Sequence, residues 1–238
     1  MLDQPLELFE TFAAQLLGPR PAILITTVDA SGRVNAAPYA FITPVSYVPL
    51  RVGFSVARPK HTRLLSYHYS IKMGVDEALK RKEYANEDEK TTLKDTLRNV
   101  LETGEFGFSV MSVEYIHSVV VTSYRWPHDI NEIEVAGLIP YPSSKIKPPL
   151  IMEASVALEC KMIANYDFPG DPDFTFVVGE CVAAHIDSKI IEGGEPKSER
   201  LTTLLQFGGA VYGVCREFLY GPRRDYPILI PVMPSAER

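Results

Sequence analysis

Cysteine is scarce in this chain of 238 residues: Cys160, Cys181 and Cys215 are odd in number and far apart. They form no CxxC pair and no zinc spacing, so neither a disulfide framework nor a cysteine metal site is expected, and a reduced, cytoplasmic setting is favoured. Histidine is equally thin, with His61, His68, His117, His128 and His185 scattered without ligand spacing, and no metal is expected. No apolar run approaches the ~20 residues that span a bilayer. The opening "MLDQPLELFETF" lacks a basic segment followed by an apolar one, so no signal peptide and no membrane partner are expected. GxGxxG, GxxxxGK[ST], HExxH and GxSxG are all missing, which removes the usual signatures of dinucleotide folds, P-loops, zinc proteases and α/β-hydrolases. Basic residues number 24 against 30 acidic ones, a net charge of -6, and the basic clusters "RPKHTRLL" and "GPRRDY" are short and isolated. Nucleic acid is therefore not an expected partner.

What is present suffices for a packed core, with 46% apolar residues and 10% aromatics. "PLELFETFAAQLLG" reads as an amphipathic opening helix ended by Gly18-Pro19. "PAILITTV" and "VNAAPYAFITPV" flank the turn "DASGR" as a hairpin, and "LRVGFSVA" reads as a third strand. Residues 63–90 are densely charged with mixed signs at helical spacing and read as a surface insertion. Next come the short helix of "KDTLRN", the strand "EFGFSVMS", the helix "VEYIHSVVVTSY" and a long proline-punctuated connection. "SVALECKMIANYDF" and "FTFVVGECVAAHID" form a strand pair across "PGDPD". "PKSERLTTLLQFGGAVYGV" supplies a short helix and a Gly-Gly turn, and residues 216–238 read as an extended arm. Short strands without regular strand–helix alternation predict one mainly β domain, an antiparallel barrel with peripheral helices.

Two segments can carry chemistry. In "KDTLRN", Asp95 is placed to cap a helix starting at Thr96, whose unpaired first-turn N–H groups attract an anion; Lys94, Thr96 and Asn99 would complete an anion cradle. The same segment also reads as an ordinary capped helix with a solvated polar face. In "RVNAAPYAF", the small residues Ala36, Ala37, Pro38 and Ala40 leave room for a flat ligand against the backbone, or form a proline-bearing edge strand packed in the core. His128, on the loop "RWPHDINE", is the candidate catalytic or substrate-binding histidine. Cys160 and Cys181 fall in apolar strand patterns and read as core residues.

The order "RPAILITTVDASGRVNAAPYAFITPVSYVPLRVGFSV", "KDTLRNVLETGEF", "EIEVAGLIPYPSSKIKPPLIMEASVALEC" and "VVGECVAAHID" resembles the flavin reductase-like, FMN-binding split-barrel family. The resemblance runs over about residues 19 to 215, interrupted by the charged insertion. It implies a six-stranded antiparallel Greek-key split barrel, a homodimer, and FMN bound near the subunit interface. Asn35, Ala36, Ala37, Pro38, Tyr39, Ala40 and Phe41 would line the isoalloxazine ring, and Ser55 the ribityl chain. Lys94, Thr96 and Asn99 would hold the phosphate, with Asp95 fixing the turn; "PKHT" at 59–62 is the competing phosphate turn. His128 would contact a nicotinamide. The implied activity is FMN-dependent oxidoreduction, with NAD(P)H reducing the flavin for a monooxygenase or other acceptor. The alternatives are a non-catalytic FMN-binding or electron-carrier protein, or a chain that has lost FMN and acts through its dimer surface. Two departures from the family pattern are Ala40, where Ser is common, and Gln206, where an Arg precedes the Gly-Gly pair.

Overall fold

The computed structural model describes residues 17–58, 93–124, 126–169, 174–208 and 211–217. The expected opening helix, the 63–90 insertion, the "PKHT" turn and most of the C-terminal arm lie outside the described residues.

The architecture is a seven-stranded antiparallel sheet built from β1 (Ile23–Val28), β2 (Val34–Tyr39), β3 (Ile42–Tyr47), β4 (Leu50–Ala57), β5 (Glu105–Val110), β6 (Val156–Asp167) and β7 (Phe174–Ile186). Their order across the sheet is β2-β1-β5-β6-β7-β4-β3, so the non-sequential neighbours β1–β5 and β7–β4 carry the Greek-key crossovers. The curled sheet brings its ends together through side chains: Tyr39 on β2 meets Phe54 on β4 with ring centroids 5.3 Å apart. This is the expected split barrel with one strand more than predicted. "VNAAPYAFITPV", expected as a single arm, breaks at Ala40–Phe41 into β2, which pairs with β1, and β3, which pairs with β4. One straight strand could not serve both partners. The Phe41 carbonyl accepts from the Ser55 N–H at 2.9 Å, which holds the break closed.

The core follows from strand alternation. Ile23 and Ile25 face the barrel interior with Phe54, Phe106, Leu158 and Val177. Ala22 and Leu24 face the other way, onto a second cluster with Met111, Val119 and Ile133. Among the described residues three helices cover the barrel: α1 (Asp95–Thr103), α2 (Ile116–Thr122) and α3 (Glu132–Val135). Leu97 and Val100 anchor α1 in the interior cluster, whereas Val119 of α2 and Ile133 of α3 belong to the outer one. The helix expected within "PKSERLTT" is a single 3-10 turn, Ser198–Arg200, before the hairpin Leu205–Gly208 and Val211–Gly213. Among the described residues no helix is long and apolar enough to cross a membrane.

The long connection is held by one buried carboxylate. Glu159 accepts from the Ser144 N–H (2.9 Å), the Ser144 hydroxyl (3.0 Å), the Lys145 N–H (2.5 Å) and the His185 Nε2 (2.8 Å). Burial alone would raise its pKa, but these donors, the Ser144 N–H foremost, outweigh it and bring the group to about 2.

Glycine is required where large rings cross the barrel. A side chain at Gly179 would run into the Phe106 ring and the Cys160 Cβ, and one at Gly53 into the Phe176 ring. Gly179→Ala should therefore cost about 1–3 kcal/mol in a urea unfolding titration, because Phe106 is fully buried and cannot retreat. An unchanged midpoint would show that the interior is looser than described.

Candidate functional site

A polar junction is built where β1, β2 and α1 meet. The Thr27 hydroxyl at the end of β1 accepts from the Asn35 Nδ2 and from the Asn99 Nδ2, each at 3.1 Å. The same Asn35 amide donates to the Thr96 hydroxyl at 3.0 Å. All four side chains are buried, so the geometry is fixed by groups that have few other partners. Asn35 and Thr96, 61 residues apart in sequence, are thereby locked together.

The start of α1 is not capped by a side chain. Lys94 occupies the N-cap position with no side-chain cap bond, and Asp95 is the first helical residue. The expected capping role of Asp95 is thus corrected. Its Oδ1 is engaged instead by Arg98 Nη2, one turn on, and by His128 Nδ1 at 3.1 Å. The first-turn N–H groups of a helix have no intrahelical acceptor, and the dipole at that end favours an anion.

The remaining candidates divide clearly. Ala36, Ala37, Pro38 and Tyr39 lie on β2, with Ala40 and Phe41 at the break that follows, and Ser55 opposite on β4. Tyr39 packs under the junction; burial pushes its hydroxyl pKa up, and the hydroxyl lies toward Thr96 without forming a full hydrogen bond. Phe41 is exposed, with the Arg20 guanidinium 5.2 Å above its ring and Phe174 beside it at 5.8 Å. Arg20 is also the cross-strand backbone partner of Gln206. His128 lies at the α1 start, with Nε2 at 3.4 Å from Asp29 and Arg98 Nη2 at 2.8 Å from its Nδ1.

Thr27, Asp29 and Glu132 were not singled out in the sequence. Asp29 accepts from the Ser31 hydroxyl and N–H and from Arg33, and these bonds, Ser31's first, hold its carboxyl far below the usual range. Glu132 is 7% exposed and accepts the Ala36 N–H at 3.0 Å, on the edge of β2 that no strand among the described residues covers. Asn131 caps α3 by accepting from the Ile133 N–H, which sets Glu132 against that edge. Burial raises the Glu132 pKa to about 7, with the nearby Asp95 charge adding to it and the Ala36 N–H opposing it.

The profile of the flavin reductase like domain matches residues 17–213, and the chain belongs to that family. An uncharacterized protein of Aquifex aeolicus is 29% identical over 198 residues, covering 83% of this chain and 85% of that one. Among solved structures, nitrilotriacetate monooxygenase component B from Bacillus cereus superimposes with a TM-score of 0.73 at 25% identity, over 92% of this chain and 98% of that one. A split-barrel-domain protein from Shewanella frigidimarina gives 0.70 at 19% identity, over 92% and 94% of the two chains.

A flavin fits the residues present. Among the described residues the Asn99 Oδ1 and the Tyr39 hydroxyl are buried without a hydrogen-bond partner, the α1 start has no side-chain cap, and β2 carries the short side chains of Ala36 and Ala37.

Glu132 makes stability depend on pH with a definite sign. Its folded pKa lies above the ordinary 4.5, at about 7, so the folded protein holds this proton more tightly than the unfolded chain. That contribution is complete below pH 4.5 and is lost as pH rises through about 7. Relative to Glu132→Gln, the wild-type protein should lose on the order of 2 kcal/mol of unfolding free energy between about pH 5 and about pH 8. A difference that stays flat across this range would contradict the buried carboxyl.

Proposed function

We propose that this protein is an FMN-dependent oxidoreductase of the flavin reductase type, in which NAD(P)H reduces bound or exchangeable FMN for a downstream acceptor. The observation that carries this reading is the uncapped start of α1, with Lys94 and Thr96 beside it, locked by Asn35 to a strand of short side chains. A phosphate belongs at such a helix start, and a flat ring belongs against such a strand. In this reading Ala36 through Phe41 line the isoalloxazine ring, Ser55 lies by the ribityl chain, and Lys94 and Thr96 take the phosphate. Asn99 donates its Nδ2 to Thr27, which fixes α1 against β1 and so supports the cradle. The bound flavin supplies the hydride chemistry; the chain binds, orients and tunes it. No acid–base side chain is required for that transfer, which suits a site with no catalytic constellation.

The wider reading follows the same line. A monooxygenase component is a reasonable acceptor, since nitrilotriacetate monooxygenase component B shares the fold over nearly its whole length. The protein acts as a homodimer in the cytoplasm, consistent with three free cysteines and with the exposed Tyr47 and Val48 at the tip of the β3–β4 hairpin. The chain is one flavin reductase-like domain, with 63–90 as a surface insertion and 216–238 as an arm.

Flavin titrations followed by fluorescence quenching test the site. Lys94→Ala combined with Thr96→Val removes charge-assisted contacts to a phosphate and should weaken FMN by about tenfold or more, while riboflavin changes by less than about twofold. Equal losses for both flavins would remove the phosphate from this turn. Oxidation of NADH or NADPH with added FMN tests the reaction, and no turnover with either nicotinamide would end the reductase reading.

A further inference from the structure

His128 does not stand alone at the α1 start. It belongs to a compact set of charges from three parts of the chain: Asp29 and Arg33 from the β1–β2 turn, Asp95 and Arg98 from α1, and His128 from the loop that follows α2. Asp29 is 7% exposed, and its Oδ1 is spent on the Ser31 and Arg33 N–H groups and the Ser31 hydroxyl. Its Oδ2 meets the Arg33 Nε at 2.8 Å and the His128 Nε2 at 3.4 Å. On the opposite side of the imidazole, Nδ1 faces the Asp95 Oδ1 at 3.1 Å and the Arg98 Nη2 at 2.8 Å.

Asp95 is the difficulty in this arrangement. As the first residue of α1 it is itself an anion at the end of the helix where an anion is favoured, so it competes with a ligand phosphate. Left to itself, its carboxylate could also swing onto the first-turn N–H groups and use them up. Arg98 and His128 both engage its Oδ1, which ties the carboxylate to side-chain partners. Guanidinium nitrogens only donate, so the Arg98 contact makes Nδ1 an acceptor; the imidazole then donates from Nε2 to Asp29 and steers the guanidinium onto Asp95.

We propose that His128 is a positioning residue that, with Arg98, draws Asp95 aside and offsets its charge, so that the α1 start accepts a flavin bearing a phosphate in preference to one without. The inference rests on the FMN reading given above and departs from the nicotinamide contact first expected of His128. The residue then acts on selectivity among flavins and not on the reduced nicotinamide.

The test is a set of dissociation constants for FMN and riboflavin, measured by fluorescence titration on the whole chain. In His128→Gln, FMN should weaken by about tenfold with riboflavin unchanged, since Arg98 is no longer steered onto Asp95 and the carboxylate charge then opposes the phosphate. In His128→Gln with Asp95→Asn, FMN affinity should return to within about twofold of wild type, because the competing carboxylate has gone. Riboflavin binding reports that each variant is folded. If His128→Gln weakens both flavins alike, or if Asp95→Asn fails to restore FMN, His128 is a structural tie and the proposal falls. If the wild-type protein binds FMN no better than riboflavin, the phosphate reading itself falls. If it prefers FMN and His128→Gln keeps that preference, only the present inference does.

Discussion

The Thr27 hydroxyl receives two amide hydrogens, one from Asn35 on β2 and one from Asn99 in the middle of α1, and the rest of the site depends on that shared acceptor. A buried donor without a partner costs about 1–3 kcal/mol, so each amide holds the other's element in place. Asn35 passes the constraint on to Thr96 in the first turn of α1. The strand that can lie under a ring and the helix start that can hold a phosphate are thus set at one separation before any ligand arrives. A site organised in advance does not have to lose that freedom on binding.

The loop and short helix after α2 complete the frame from outside. Glu132 covers the free Ala36 N–H at the edge of β2, and His128 engages the turn after β1 and the first residue of α1. Both are titratable groups set against backbone or charge that the cradle uses. Glu132 is held in a protein environment that resists its ionisation, whereas Asp29, surrounded by donors, stays ionised. The two carboxyl groups are pushed in opposite directions within one small region. That contrast is what results when burial outweighs a few backbone donors at one carboxylate and several side-chain and backbone donors outweigh it at the other.

Much of the barrel was legible in the sequence because period-two alternation and turn residues are local signals. "PAILITTV", "DASGR" and the long strands after Ser155 all mark themselves in this way. The break at Ala40–Phe41 was not legible, since no Gly, Asn or Asp stands at that point of the run; pairing with two different strands imposes it. The cradle residues Asn35, Thr96 and Asn99 could be named from the motif order, yet their mutual hydrogen bonds pass through Thr27, which looks like any threonine at a strand end. Asp95 reads as a cap because capping is a short-range pattern, while its partner His128 comes from 33 residues away. Glu132 looks like a solvated acid opening a helix, and only the packing of α3 on β2 shows that it is buried. What local chemistry determines could be read directly; what packing determines could not.

The most direct measurement of the central claim is a crystal structure of the protein with FMN bound. The account predicts phosphate oxygens within hydrogen-bond distance of the first-turn N–H groups of α1 and of Lys94, with the ring lying along Ala36 to Phe41 and the Thr27–Asn35–Thr96–Asn99 junction unchanged. A phosphate seated on residues 59–62, or a junction that must come apart to admit the flavin, would contradict it.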